Sequence, residues 1–228
     1  MTPSENQPAV VSVAARKRLV IILLVFSIAL GVRLLNWQAV GNEPLAVQWS
    51  VAENYKQLAE LIRANGFASL FDPNSPTSNP ELLGHPPGYP ILLALVYNVA
   101  GQSDKLVQLL QIFFDSLSAV LILLIAFELF SAPTATTGAL FAACSPQFSW
   151  NCLTLLPDSL AAFPILVAIF LLVRAGKRGA SNREVLLACV FAGALISLSC
   201  WLRANALLLP VFLLLLFPLL VLVVQTMQ

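Results

Sequence analysis

The sequence predicts an all-α polytopic membrane bundle of about six spans, with interfacial helices gathered in one large outer loop. Three observations lead there. Hydrophobic residues make up 59% of the 228 and charged residues 10%, at a mean hydropathy of +0.86; soluble domains carry about a quarter charged residues. The apolar residues fall in runs long enough to cross a hydrocarbon layer, which takes about twenty of them. One sizeable polar stretch, Asn36 to Tyr89, interrupts them directly after the first run. In a chain of this kind such a loop is where chemistry is expected, because its polar groups meet water.

The polar tail, residues 1–18, ends in Arg16-Lys17-Arg18, and an apolar run from Leu19 to Leu35 follows. This layout is also that of a secretory signal. No Ala-x-Ala-type cleavage site comes after the run, however; Arg33 and Trp37 stand there, so the run reads as a retained anchor helix. Further spans are expected at Leu106–Phe130, Thr134–Trp150, Leu156–Val173, Val185–Leu202 and Ala206–Val224. Pro90–Ala100 is apolar but short. Counting it as a span would put Arg16-Lys17-Arg18 and the cluster Arg174, Lys177, Arg178, Arg183 on opposite faces. Leaving it out puts both on one face, as the positive-inside rule favours. It is therefore expected as an interfacial helix. Both termini then lie in the cytoplasm, and the loop 36–105, Asn151–Pro157 and the Leu202–Asn205 corner face outward.

Within the loop, Ser50-Val51-Ala52-Glu53 has the form of a capping box and Asn65-Gly66 that of a helix stop. Val51, Tyr55, Leu58 and Ile62 recur between them at helical spacing, with Lys56, Glu60 and Arg63 off the stripe. This is an amphipathic helix, too polar to span. Asp72 to Pro80 is an irregular loop by its turn residues. The tryptophans Trp37, Trp49, Trp150 and Trp201 sit near outer boundaries, as an interfacial belt does.

Composition excludes some functions. A net charge of +1 without a basic patch gives nucleic acid no footing. Cys144, Cys152, Cys189 and Cys200 lie in or beside apolar runs without CxxC spacing, so they read as buried thiols rather than metal ligands. Cys152 and Cys200 fall near one membrane face, which leaves a disulfide open. There is no Asp-x-Asp pair, and no tightly held metal or other cofactor is expected.

One order of motifs is distinctive. The anchor helix leads to Tyr55-Lys56-Gln57-Leu58-Ala59 and an Asn-Gly turn, then to His85-Pro86-Pro87-Gly88-Tyr89-Pro90. A long span with Leu109-Leu110-Gln111, Asp115 and Ser116 follows, then Ser145-Pro146, Pro157-Asp158-Ser159-Leu160 and Leu202-Arg203-Ala204-Asn205-Ala206. From Arg33 to Pro210 this closely resembles the N-terminal half of GT-C glycosyltransferases of the protein-mannosyltransferase-like group, which includes aminoarabinose transferases. The resemblance implies a GT-C-like transmembrane domain over 19–228. It also implies sugar transfer from a polyprenyl-phosphate donor to an envelope acceptor on the non-cytoplasmic face of a bacterial inner membrane. In such enzymes a loop carboxylate activates or orients the acceptor hydroxyl, and cationic groups hold the lipid phosphate. Two departures stand out. The group carries an Asp just before the Tyr of the amphipathic helix, where only Glu53 or the more distant Glu43 is available here. Full enzymes also continue through more spans, so a C-terminal half or a partner subunit is expected to be missing.

Each candidate has a plainer role to compete with. Glu53 is explained as a cap, and Glu43 as a loop residue beside the first span's exit. His85 and Tyr89 belong to the proline-rich motif and are candidates for substrate contact, yet a solvated loop explains the histidine. Asp158 is a candidate for substrate binding through the Pro-Asp element of the motif, although an acid after proline also suits the first turn of a helix. Arg203 sits at an outer helix end, where snorkelling explains many arginines; its place in the motif implies binding of the donor phosphate. Arg33 is similar, or only anchors its span. Asp115 is expected to serve as a structural hydrogen-bonding group, although an intramembrane carboxylate is a functional candidate by default. Two other functions stay open: a catalytically silent membrane subunit, and a transporter of lipid-linked sugars.

Overall fold

A computed structural model describes residues 7–41, 43–46, 49–78, 85–177 and 181–226. The described residues form helices joined by short loops, with no strand among them, and four helices are long and apolar enough to cross a membrane: Ala15–Val40, Asp104–Leu129, Asp158–Ala175 and Asn182–Leu202. The first belongs to α1 (Gln7–Val40), which stops where Gly41 turns to φ +54°. A short helix α2 (Glu43–Ala46) leads to the amphipathic α3 (Trp49–Asn65). Its stripe is close to the expected one: Ala52, Tyr55, Leu58, Ala59 and Ile62 are buried and Val51 is partly so. Its stop is as expected, with Gly66 at φ +80° and its N–H donating to Ile62 O at 2.8 Å. The capping box is not. The helix already includes Trp49, so Ser50 lies inside the first turn rather than before it.

Pro90–Ala100 forms the core of α4 (Gly88–Ala100), whose 13 residues are too few to span. It buries Tyr89, Leu93 and Tyr97 against Tyr55, Leu58 and Ile62 of α3. Gly101, at φ +71°, turns the chain into α5 (Asp104–Leu129), whose N-cap Ser103 accepts from Leu106 N.

The span expected at Thr134–Trp150 is divided. Helix α6 (Ala132–Ala143) ends before Ser145, which caps a new helix α7 (Pro146–Asn151). The cause is Pro146: it has no N–H to continue the ladder and holds Ser145 extended. A loop from Cys152 leads to α8 (Asp158–Ala175), and α9 (Asn182–Leu202) begins with a complete capping box between Ser181 and Glu184. The span expected at Ala206–Val224 opens as a 3-10 turn, Ala204–Leu208, before α10 (Leu209–Thr226). All four cysteines are free, so Cys152 and Cys200 form no disulfide.

Two contacts fix the ends of the bundle. Arg18 of α1 lies over the Phe127 ring at 5.7 Å, and Lys177, just after α8, pairs with Glu128. Phe127 and Glu128 are neighbours in the last turn of α5. The two basic clusters therefore share one end of the bundle, as the charge argument requires. Helices α3 and α4 cover the opposite end, with the starts of α5 and α8 and the end of α9. Between the ends, alanines allow close packing: Ala29 of α1 meets Ala119 of α5 and Ala135 and Ala139 of α6.

A candidate active site at the ends of α8 and α9

At the end covered by α3 and α4, Asp158 opens α8 and Arg203 closes α9. Their side chains form an ion pair, and each is about a third exposed (33% and 36%). The pair stays where it is because the backbone beneath it is fixed. The hydroxyl of Ser199 donates to Ala161 O at 2.7 Å, tying α9 to α8 one turn below. Arg203 N donates to Ser199 O at 2.8 Å as the chain leaves the helix extended. A cleft of about 330 Å³ opens at the pair, lined by Asp158, Ala161, Ala162, Ile165, Ser199, Arg203 and Leu209. A second cleft, about 360 Å³, lies between α5, α7 and α8 and contains Asp115, Ser118, Asn151 and Ser159. The two share Asp158, Ala162 and Ile165, so Asp158 borders both.

Two glutamines of α5 set the position of Asp158. The carboxamide of Gln111 donates to Thr154 O (3.0 Å), Leu156 O (2.9 Å) and the Ser159 hydroxyl (3.2 Å), gripping the chain on both sides of residue 158. Gln108 donates to Leu153 O at 2.7 Å and accepts from Trp37 Nε1 at 2.9 Å. The loop's backbone carbonyls are buried, and these amides satisfy them where no water or helix does. Trp37 is thus more than a belt residue.

The proline-rich motif packs directly on this site. A Cβ built on Gly88 would stand 2.5 Å from Trp201 O, 2.8 Å from Trp201 C and 3.1 Å from Leu202 N. Only glycine lets the start of α4 approach the end of α9 so closely, immediately before Arg203. Tyr89 is fully buried; its ring meets Tyr55 edge-on at 5.1 Å and its hydroxyl donates to Gln111 Oε1 at 3.4 Å. His85 is exposed and stacks obliquely on Tyr55, with ring centroids 5.4 Å apart. Burial raises the pKa of the Tyr55 phenol, while the positive charge of Arg203 works against that rise. Tyr55 is therefore a neutral hydroxyl near neutral pH, within the field of Arg203.

The structure brings Asp158 and Arg203 together, with His85 and Tyr89 on the motif above them. The other expected residues lie elsewhere. Arg33 is 1% exposed; its Nε donates to Asp115 at 2.5 Å and one terminal nitrogen to Ala29 O and Ala143 O, both at 2.9 Å. It binds α1, α5 and α6 together, and Asp115 has the structural role expected of it. Glu43 is exposed at the start of α2. Glu53 lines a separate cleft of about 670 Å³ with Lys56, Gln57, Glu60, Leu61, Ala64 and Gln102. It is two residues from Tyr55 and so on the opposite side of the helix. Lys56 pairs with Asp104 at 2.6 Å, and Tyr97 donates to the other Asp104 oxygen at 2.8 Å, joining α3, α4 and α5. Cys152 is buried, and burial, helped by the charge of Asp115, pushes its thiol up to about 12. Among the described residues no group of three His, Cys, Asp or Glu side chains is placed to hold a metal.

Gln108 and Ser199 were not singled out from sequence, and Tyr55 and Gly88 entered only as members of a stripe and a motif. Each is a common residue in an apolar or amphipathic helix, and its partner is distant in the chain.

These features define a helical membrane protein with a charged, interhelical site at one end. The family model described as dolichyl-phosphate-mannose-protein mannosyltransferase matches residues 84–226, more than half of the chain, from just before His85 to the end of α10. The chain belongs to that family, a group of membrane glycosyltransferases of GT-C type. Comparison with curated proteins and with solved structures returned no match.

Proposed function

We propose that this protein takes a sugar from a polyprenyl-phosphate carrier and transfers it to an envelope acceptor on the non-cytoplasmic face of the membrane. The observation that carries this reading is the Arg203–Asp158 pair, half-open to a cleft beneath the proline-rich motif. The donor's tail must stay in the bilayer, so its phosphate has to be met at the end of the helices. Arg203 is the cation in that cleft, and a guanidinium suits phosphate by charge and by its fork of donors. His85 of the proline-rich motif, exposed and stacked on Tyr55, is the group proposed to supply a hydrogen bond to substrate.

Transfer breaks the bond between the sugar's anomeric carbon and the phosphate oxygen, and forms one to the acceptor oxygen. The acceptor's proton goes to a loop carboxylate. Of the two proposed, Glu43 is favoured over Glu53, because Glu53 faces the other side of α3 from Tyr55. A Gln variant of the true base should lose about 10²–10⁴-fold in rate, and the other should keep its activity. Loss of neither would favour the catalytically silent subunit, a reading that the orientation of Glu53 supports. The proposed location is a cell membrane, with the two basic clusters on the cytoplasmic side.

The test is donor binding by Arg203→Ala in lipid nanodiscs. A charge-assisted hydrogen bond contributes about 1.5–3 kcal/mol, so affinity for a polyprenyl-phosphate hexose should fall about tenfold or more. A folded variant that binds the donor as the parent does would remove Arg203 from the site and this reading with it.

A further inference from the structure

We infer that Asp158 is a charge filter, which makes the site prefer a phosphodiester over a phosphomonoester and so helps it discard the spent carrier. This rests on the reading of Arg203 as the phosphate-binding cation. Its own basis is that the cation is not free: its partner in the cleft is a carboxylate, anchored beside it by the backbone that carries it.

The backbone shows why. Gln111 holds Leu156 O before Asp158 and the Ser159 hydroxyl after it, and Ala161 N donates to Pro157 O at 2.8 Å, closing the first turn of α8. Asp158 also lies between two clefts, so turning away from Arg203 takes its side chain only into the neighbouring one. Three other cations are already paired: Arg33 with Asp115, Lys56 with Asp104 and Arg63 with Glu60. A phosphate that reaches Arg203 therefore finds the Asp158 carboxylate beside it and, among the described residues that line the cleft, no second cation.

The chemistry of transfer makes this matter. The glycosylated carrier is a phosphodiester with one negative charge. When its sugar–oxygen bond breaks, the electron pair stays on the phosphate oxygen, the sugar joins the acceptor oxygen, and the acceptor's proton leaves with the base. The carrier is then a phosphomonoester, whose second ionisation lies near pH 6, so it carries between about 1.5 and 2 negative charges at neutral pH. With Arg203 and Asp158 both in place, the diester leaves a net charge of about −1 in the cleft. The monoester leaves about −1.5 to −2, so its repulsion from Asp158 is the larger. The site thus becomes less favourable for the carrier at the moment the sugar has gone.

The experiment measures binding at pH 7.5 of three probes of equal chain length to the protein in nanodiscs. They are a polyprenyl phosphate, a polyprenyl methyl phosphate and a polyprenyl-phosphate mannose. The methyl diester has the donor's charge without its sugar, which separates charge from sugar recognition. The parent should bind both diesters about tenfold more tightly than the monoester, a difference of about 1.4 kcal/mol. In Asp158→Asn the methyl diester and the monoester should bind within about twofold of each other, mainly because the monoester gains. Asp158→Ser, which also suits a first turn, should do the same and guards against a packing fault in one variant. A preference for the methyl diester that survives in both variants overturns the filter. So does a monoester that binds more weakly in them. If Arg203→Ala changes the binding of none of the three probes, the phosphate is not held there; the reading of the site fails, and the filter falls with it.

Discussion

Replacing Gly88 by alanine would place a methyl group 2.5 Å from Trp201 O and 2.8 Å from Trp201 C. Both are backbone atoms, so no flexible side chain can yield. To reach ordinary contact near 3.4 Å, the start of α4 must part from the end of α9 by about 0.9 Å. Tyr89, next in sequence, is fully buried against Tyr55 and would have to move with it. Overpacking of this kind costs about 1–3 kcal/mol, and the position of Arg203, one residue beyond Leu202, is disturbed as well. Gly88→Ala should therefore lower the unfolding temperature in nanodiscs and weaken donor binding together. The assay is thermal unfolding followed by tryptophan fluorescence, beside a titration with polyprenyl-phosphate mannose. A variant with the parent's stability and donor affinity would refute the claim that this glycine docks the proline-rich motif against the site.

Gln111→Leu should destabilise the fold by about 1–3 kcal/mol, since it leaves buried carbonyls of Thr154 and Leu156 unsatisfied; equilibrium unfolding checks it. Arg33→Leu or Asp115→Leu alone should cost about 3–5 kcal/mol by stranding a buried charge, and the double variant should be more stable than either. A double-mutant cycle reads that coupling directly. A cysteine at Asn74, in the outer loop, should react with an impermeant thiol reagent applied outside whole cells, and one at Asn182, at the start of α9, should not. Labelling of both from the same side would restore α4 as a span.

Local pattern carried much of the fold. The stripe of α3 was legible because Tyr55, Leu58 and Ile62 recur on one helical face, and its end because Asn65-Gly66 is a stop in any context. The four long spans were legible from apolar length alone. Ser145-Pro146 was visible too, yet the span was expected to run through it. A proline that caps a new helix and one that kinks an old one look alike until the preceding residue's conformation is known. The two capping boxes make the same point: Ser50 and Glu53 have the spacing without the role, whereas Ser181 and Glu184 have both.

The site was legible in its residues and not in its pairings. Arg33 and Asp115 were each noticed, but 82 positions separate them and only helix packing brings them together. Arg203 and Asp158 were both candidates for binding substrate; that they meet each other depends on how α8 and α9 cross. Gln108 and Gln111 find carbonyls 43 to 45 residues away in the loop before Asp158. No periodicity points to that. The orientation of Glu53 was within reach of sequence, since residues two apart on a helix face opposite ways, and Tyr55 was already placed on the buried stripe.

The most direct test of the account is to find where the lipid phosphate sits. A polyprenyl-phosphate mannose with a photoreactive group in its first isoprene unit would be cross-linked to the protein in nanodiscs, and the adducts mapped by mass spectrometry. The account predicts adducts on the walls of the Arg203 cleft, at Ala161 to Ile165 of α8 and about Leu209, competed away by unlabelled donor and lost in Arg203→Ala. Adducts confined to the cleft of Glu53 and Glu60, or to the one formed by Asn36, Gln147 and Trp150, would contradict it.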